Sequence, residues 1–296
     1  MTAVARRRDV WLVVVASMAF ATAGPLAKVA SPEVPSLVMA CARTGIAAVI
    51  LALVGPRVLL ASLRSLSGRH RAAVALAGVL LAAHFVLFLA GLGATSLAAA
   101  VALVSLEPVA VVLAAFFVFG ARPTSRELVG LLVAMLGALV VASGAGAGEH
   151  RLVGDLMVLA AVMIYGAYVT AARGLRDALP PVPYATAVYG TASIVLLPVA
   201  AALGVRAGAP RAEPALAVLA MALVPTLIGH TLLQRVARRA PPVLVALVSP
   251  GETVGALVIG ALVLNMPPTA REAVGCALVL LGATLAVTAR RSSSRT

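Results

Sequence analysis

The sequence predicts an all-α integral membrane protein of ten transmembrane helices, arranged as two inverted five-helix repeats. Three observations carry this: an apolar composition, arginines gathered between alternate apolar blocks, and a self-match at an offset of 145 residues. Of the 296 residues, 62% are hydrophobic and 11% charged, whereas a soluble domain is roughly half apolar and a quarter charged. The net charge of +13 would point to nucleic acid in a soluble protein. Here only short loops are left to hold a hydrated basic face, so nucleic acid is excluded as a partner and membrane topology accounts for the charge. Cys41 and Cys276 both lie in apolar stretches; two such cysteines supply neither a disulfide framework nor a thiolate metal site. No metal or cofactor is expected.

Crossing a hydrocarbon core of about 30 Å takes roughly 20 helical residues. Blocks of that kind occur at 10–30, 35–54, 72–92, 96–119, 127–143, 154–172, 183–203, 214–234, 241–264 and 271–288. With the N-terminus inside, 17 of the 23 basic residues fall in cytoplasmic segments and only Arg151, Arg206, Arg211 and Arg271 in the opposite loops. Positive charge marks the cytoplasmic side, so both termini are expected there, in the plasma or inner membrane. The N-terminal run resembles a secretory signal. It reads instead as an uncleaved first helix, because its removal would leave nine spans and break the repeat.

Shifting the chain by 145 residues lays Glu107–Ala142 on Glu252–Val287 with 12 identities in 36 positions. Apolar matches come cheaply in such a sequence. The matches Glu107/Glu252, Pro123/Pro268, Arg126/Arg271, Glu127/Glu272, Gly130/Gly275 and Gly137/Gly282 do not, and they indicate a duplicated unit. The two repeats are placed at 1–148 and 149–296. Five spans is an odd number, so the second repeat enters the membrane upside down. Inverted repeats are a transporter architecture, with substrate held near the midplane between the halves.

Several segments resemble the drug/metabolite transporter superfamily, specifically EamA-type permeases, over nearly the whole chain. They are GPLAK ending at Lys28, CARTG with Arg43, SLEPVAVVLAAFFVFGARPT with Glu107, PTLIGHTLL with His230, and SPGETVGALVIGALVLNMPPT with Glu252. The resemblance implies a ten-span exporter or metabolite permease. The family's usual glutamates at the ends of the fourth and ninth spans are replaced here by Ala121 and Met266, and Thr253 stands where a proline usually follows the glutamate.

Charge inside a bilayer costs at least about 2.5 to 3.5 kcal/mol, so intramembrane ionisable groups are the candidate site. Glu107 and Glu252 each lie eleven residues into their spans, about 16 Å deep, near the midplane from opposite directions. They either face a central cavity, binding an amino group or a coupling proton, or satisfy backbone groups freed at Pro108, Pro250 and Gly251. Arg43 either binds a substrate carboxylate or phosphate or neutralises one of these acids. Lys28, the only lysine, either snorkels to the interface or contacts substrate beside Gly24–Pro25. His84 and His230 are either proton or solute groups or hydrogen-bonded bundle residues. Tyr165 and Tyr168 bring hydroxyls and aromatic surface to the sixth span, either to a cavity or as interface anchors. Gly130/Gly137 and Gly275/Gly282 permit close helix approach; the spacing leaves open whether this occurs within one chain or between the copies of a homodimer.

The expected function is secondary transport of a small-molecule substrate across the lipid bilayer by alternating access. The cargo inferred is amino acids or related metabolites, with protons as the coupling ion, and the outward direction is implied by the family resemblance. A translocase for lipid-linked or amphiphilic compounds on the same fold is the alternative. No serine–histidine, HExxH or paired-acid protease motif, and no Walker A sequence, is present, so an enzyme is not expected. No ring-forming selectivity motif indicates a channel.

Overall fold

A computed structural model describes residues 3–95, 100, 103–104, 106–142, 152–205, 208–263 and 269–293, and among them every regular element is helical. In the first half these are α1 (Ala3–Ala21), α2 (Ala23–Ala30), α3 (Ser36–Val54), α4 (Pro56–Arg64), α5 (Gly68–Ala94), α6 (Glu107–Phe119) and α7 (Ser125–Ala142). The second half holds α8 (Leu152–Gly174), α9 (Pro181–Ala202), α10 (Ala212–Met221), a π-helical stretch (Ala222–His230), α11 (Thr231–Ala237), α12 (Pro242–Ala246), α13 (Val248–Val263) and α14 (Ala270–Ser293).

Among the described residues six helical segments are long and apolar enough to cross a bilayer: Arg7–Ala30, Ser36–Val54, Gly68–Ala94, Leu152–Gly174, Pro181–Ala202 and Ala212–Ala237. Glu107–Phe119, Pro242–Gly255 and Ala273–Ala286 are shorter apolar helices. The fourth expected span, 96–119, is described as α6 plus isolated residues before it; 96–99, 101–102 and 105 lie outside the described residues, as do Ser143 and Pro268. One helix was not foreseen. Residues 56–64 read as a loop because nine residues cannot span, yet Pro56 at the first turn favours helix, and α4 forms with no buried residue.

Local chemistry explains the ends and breaks. Thr22 interrupts the first segment, its Oγ1 donating to Ala19 O at 2.7 Å, three residues ahead of Pro25, which has no N–H to give. Ser67 caps α5 by accepting from His70 N. Left-handed Gly120, φ 63°, closes α6. Thr124 and Glu127 form a reciprocal capping box at α7: Thr124 N donates to Glu127 Oε2 at 2.8 Å and Glu127 N to Thr124 Oγ1 at 3.3 Å.

Contacts between the halves repeat under the 145-residue shift. A Cβ on Gly45 of α3 would meet Ser193 Oγ of α9 at 2.8 Å, and the mirrored contact pairs Gly190 with Ala48 at 3.9 Å. A Cβ on Gly166 of α8 would meet Ala110 O of α6 at 2.5 Å; its mirror sets Gly255 of α13 against Ala21 of α1 at 2.9 Å. Gly137 of α7 lies against Val279 N of α14 at 2.6 Å, mirrored by Gly282 against Ala134 N at 2.3 Å. As one partner's number rises the other's falls, so equivalent helices α3/α9 and α7/α14 run antiparallel. The glycine faces at 130, 137 and 282 therefore meet within one chain, which is the packing that sequence left open.

Alanine at Gly282 places a methyl group inside the backbone of α7, and flexible side chains cannot absorb that clash. Gly282→Ala is expected to cost about 1–3 kcal/mol, read as a lowered Tm of the detergent-solubilised protein. An unchanged Tm would mean the two helices do not meet here.

The ties at the helix ends keep to the two sides that the arginine distribution separates. On one side, Asp9, buried in α1, accepts from Arg239 Nε at 2.9 Å and Nη2 at 2.6 Å. Arg173 Nη1 donates to Ala240 O at 3.0 Å, and Arg238 to the carbonyls of Arg176 and Leu179. On the other, Thr95 Oγ1 donates to Asp155 Oδ1 at 2.6 Å, and Arg211 binds Glu33 through its backbone N–H at 2.7 Å and its guanidinium. Those bonds from Arg211 hold the half-buried Glu33 carboxyl below the usual carboxylate range.

Candidate functional site

Between the halves lies a small cavity of about 40 Å³. Six of the eight candidate residues line it: Arg43, His84, Glu107, Tyr165, His230 and Glu252. They come from α3, α5, α6, α8, the π-helical stretch and α13, so five helices and one irregular turn converge on one point. Phe20, Phe85 and Phe88, three of the six phenylalanines in the chain, complete an aromatic wall.

Arg43 is the best-anchored polar group. Its side chain is buried, its Nε donates to Thr226 Oγ1 at 2.7 Å, and its guanidinium carbon stands 4.0 Å from the centroid of the Phe85 ring. Thr226 is held in turn. Pro225, with no N–H, lies in the π-helical stretch, and Thr226 Oγ1 donates to Met221 O at 2.8 Å. The Tyr189 hydroxyl donates to Thr226 O at 3.2 Å, so α9 braces the same irregular turn. The expected pairing of Arg43 with an acid takes a looser form: Glu252 faces it across the cavity, but among the described residues no carboxylate oxygen lies within 4.0 Å of the guanidinium.

Among the described residues neither Glu107 nor Glu252 accepts a bond from a backbone amide, which was the structural alternative for both. Ser249 lies beside Glu107, and its hydroxyl donates to Val104 O at 3.0 Å, joining the segment before α6 to α13. His84 Nδ1 is 3.0 Å from Ala161 O. A carbonyl only accepts, so Nδ1 carries the proton and a neutral His84 keeps a lone pair on Nε2. His230 Nδ1 is buried with no hydrogen-bond partner among the described residues. Its ring meets Phe20 edge-on at 4.7 Å and Phe85 at 5.0 Å.

Two candidates lie elsewhere. Tyr168, one turn past Tyr165, is buried behind the cavity, where its hydroxyl accepts from Gln234 Nε2. Lys28 is exposed on the last turn of α2 and is not among the cavity residues, so the structure does not bring the only lysine to the acids. Residues not singled out from sequence are Thr226, Gln234 and the three phenylalanines. Thr226 had a signal, the proline before it; the phenylalanines had none against an apolar background.

The cavity is two-fold in part and one-sided in part. Under the 145-residue shift Glu107 corresponds to Glu252, Phe20 to Tyr165 and Phe85 to His230. Arg43, by contrast, corresponds to Val188, and His84 to Gly229. The acids come as a pair, whereas the guanidinium and one imidazole stand on one side only.

The comparisons with known proteins fit this architecture. The model of the EamA-like transporter family matches residues 8–143 and again 152–288. No curated protein sequence matches. Among 29 matching chains of known structure, one crystal structure is 21% identical and superposes with a TM-score of 0.78, over 96% of this chain and 98% of the other. That likeness concerns the fold. The family match covers both halves, and the chain belongs to the EamA-like transporter family, a multi-pass membrane protein built of two repeats.

Proposed function

We propose that the chain is a secondary transporter that exports amino acids or closely related small metabolites by alternating access through ten spans, with both termini cytoplasmic. The observation that supports it is the one-sided cavity. Two carboxylates and one guanidinium within an aromatic wall match a zwitterion: Arg43 receives the substrate carboxylate in a planar fork, and Glu107 and Glu252 receive the ammonium group. Two acids against one guanidinium leave one negative charge, which a zwitterion of zero net charge does not balance; a proton on one acid balances it in the empty site and is displaced when the substrate ammonium binds. Proton coupling follows from the exchange of one for the other.

A volume of about 40 Å³ holds a water or two but not a ligand of ordinary size, which needs roughly 300 Å³ or more. In this reading substrate is admitted when the halves rock apart. One observation favours an amphiphile translocase instead: an apolar groove of about 500 Å³ between α3 and α9, lined by Val38, Ala42, Leu197 and Ala201.

The test is uptake by proteoliposomes under an imposed pH gradient of each sign. Labelled amino acids are expected to accumulate against their gradient in one of the two. Movement of amphiphilic cations alone would favour the translocase, and movement of neither class under either gradient would sink the export reading.

A further inference from the structure

A second cavity, of about 250 Å³, lies at the arginine-rich end of the bundle, where the turn between α6 and α7 meets the start of α12. Arg122, Arg173 and Arg239 line it, with Glu127. The remaining wall includes Pro123, Pro241 and Pro242, which are rigid and have no N–H. Whatever binds there through hydrogen-bond donors is therefore read mainly by guanidinium groups.

Two of the three guanidinium groups are held in place by hydrogen bonds. Arg239 gives Nε and Nη2 to the single oxygen Asp9 Oδ1, and its side chain is still 42% exposed. Arg173 is fixed by Nη1 on Ala240 O and stands 5.8 Å from the centroid of Phe119. Arg122, exposed, stands 5.9 Å from the centroid of Phe116 and has no hydrogen-bond or ion-pair partner among the described residues. Glu127 is turned into its own helix cap, its Oε2 accepting from Thr124 N and Oγ1 at 2.8 and 3.0 Å. Three positive charges against those of Glu127 and Asp9 leave the pocket cationic.

The flank of the pocket supplies the second half of the chemistry. Phe117 and Val118, 78% and 63% exposed, stand on the last turn of α6, just ahead of the turn that carries Arg122. Leu128 and Val129, next to Glu127 in sequence, are exposed on α7. A cationic pocket at the end of a membrane bundle, on helices that carry exposed apolar residues within a turn or two of it in sequence, fits a phosphate group carried on acyl chains.

We propose that this pocket binds the phosphate headgroup of an anionic phospholipid, with Arg122 as the guanidinium that engages it and Arg173 and Arg239 as its fixed partners. The site is separate from the central cavity and shares no lining residue with it. Because the pocket joins the α6–α7 turn to the α8 end and the α11–α12 turn, an occupied headgroup ties the two repeats together on that face.

The test uses the purified full-length chain in neutral detergent, titrated with phosphatidylglycerol, phosphatidylcholine or inorganic phosphate and read by Tm, since a ligand of the folded state raises it. Phosphatidylglycerol is expected to stabilise the wild type at lower concentration than phosphatidylcholine. Arg122→Gln is expected to raise the half-saturating phosphatidylglycerol concentration about tenfold, the scale of one lost charge-assisted bond. Arg64→Gln, which removes the same charge from exposed α4 outside the pocket, is expected to leave it unchanged. Stabilisation by inorganic phosphate that Arg122→Gln abolishes would assign recognition to the phosphate itself; response to phosphatidylglycerol alone would assign it to a headgroup held with its chains. Equal stabilisation by the two lipids, or equal weakening by Arg122→Gln and Arg64→Gln, overturns the site.

Discussion

Glu107→Gln and Glu252→Gln are each expected to lower transport at least about tenfold while leaving expression and Tm nearly unchanged. Glutamine has the size of glutamate and keeps an acceptor oxygen, so the change removes charge with little repacking. A charge-assisted hydrogen bond contributes about 1.5–3 kcal/mol, and 1.4 kcal/mol is a factor of ten in affinity. The loss is expected in KM for a substrate with an ammonium group, and in the pH dependence of uptake if the carboxylate also carries the coupling proton. Both variants should show it, because the two acids are repeat mates lining the same cavity. The structure makes a purely structural role testable as well: among the described residues neither acid holds a backbone amide. Loss of folded protein in both variants, with transport per folded molecule unchanged, would return them to that role.

The pairing of the acids was legible in the sequence because charge is rare there. Glu107 and Glu252 stand out at a fixed offset, and inversion places both at similar depth. Arg43, His84, Tyr165 and His230 were legible as unusual residues, but that they share a cavity depends on how helices rotate about their axes. Near-uniform hydrophobicity hides that rotation: in α5 only His84 breaks an apolar run, and nothing in the run says which side faces inward. Lys28 shows the reverse error. Its rarity marks it as strongly as Arg43, yet it sits at a helix end, where a long stem reaches water and rarity carries no information about a cavity.

The glycine faces were half legible. Spacing marks Gly130/Gly137 and Gly275/Gly282 as surfaces of close approach, but a homodimer and an internal crossing place the same demand on a helix. Contact of Gly137 with α14 and of Gly282 with α7 inside one chain decides it. The π-helical stretch was not legible. Pro225 signals a break, but whether the freed carbonyls are met by a tightened turn, by water or by a wider one depends on neighbours far away in sequence. Here Tyr189 from α9 and the hydroxyl of Thr226 supply the partners.

Arg43→Lys is expected to reduce transport by about ten- to a hundredfold although the positive charge is kept. Lysine lacks the Nε donor that engages Thr226 at 2.7 Å, and it cannot spread a planar group over Phe85 at 4.0 Å. The ammonium is therefore free to swing toward Glu252, closing the gap that the arginine anchor maintains and occupying the place of a substrate amine. The loss should appear in KM for substrates bearing a carboxylate and be smaller for amines without one. Arg43→Gln is expected to do more damage of another kind. It leaves both cavity acids without a nearby cation and Thr226 Oγ1 without its donor, which is expected to lower Tm and the yield of folded protein. Thr226→Val separates anchoring from charge: it removes the acceptor for Nε and the bond to Met221 O while keeping side-chain volume. It should share the KM phenotype of Arg43→Lys in weaker form, with a lowered Tm because the buried Arg43 Nε and Met221 O lose their partner, at about 1–3 kcal/mol each. Wild-type KM in Arg43→Lys would mean that the cavity needs a positive charge at this point and not a guanidinium fork, and the zwitterion assignment would then lose its carboxylate half.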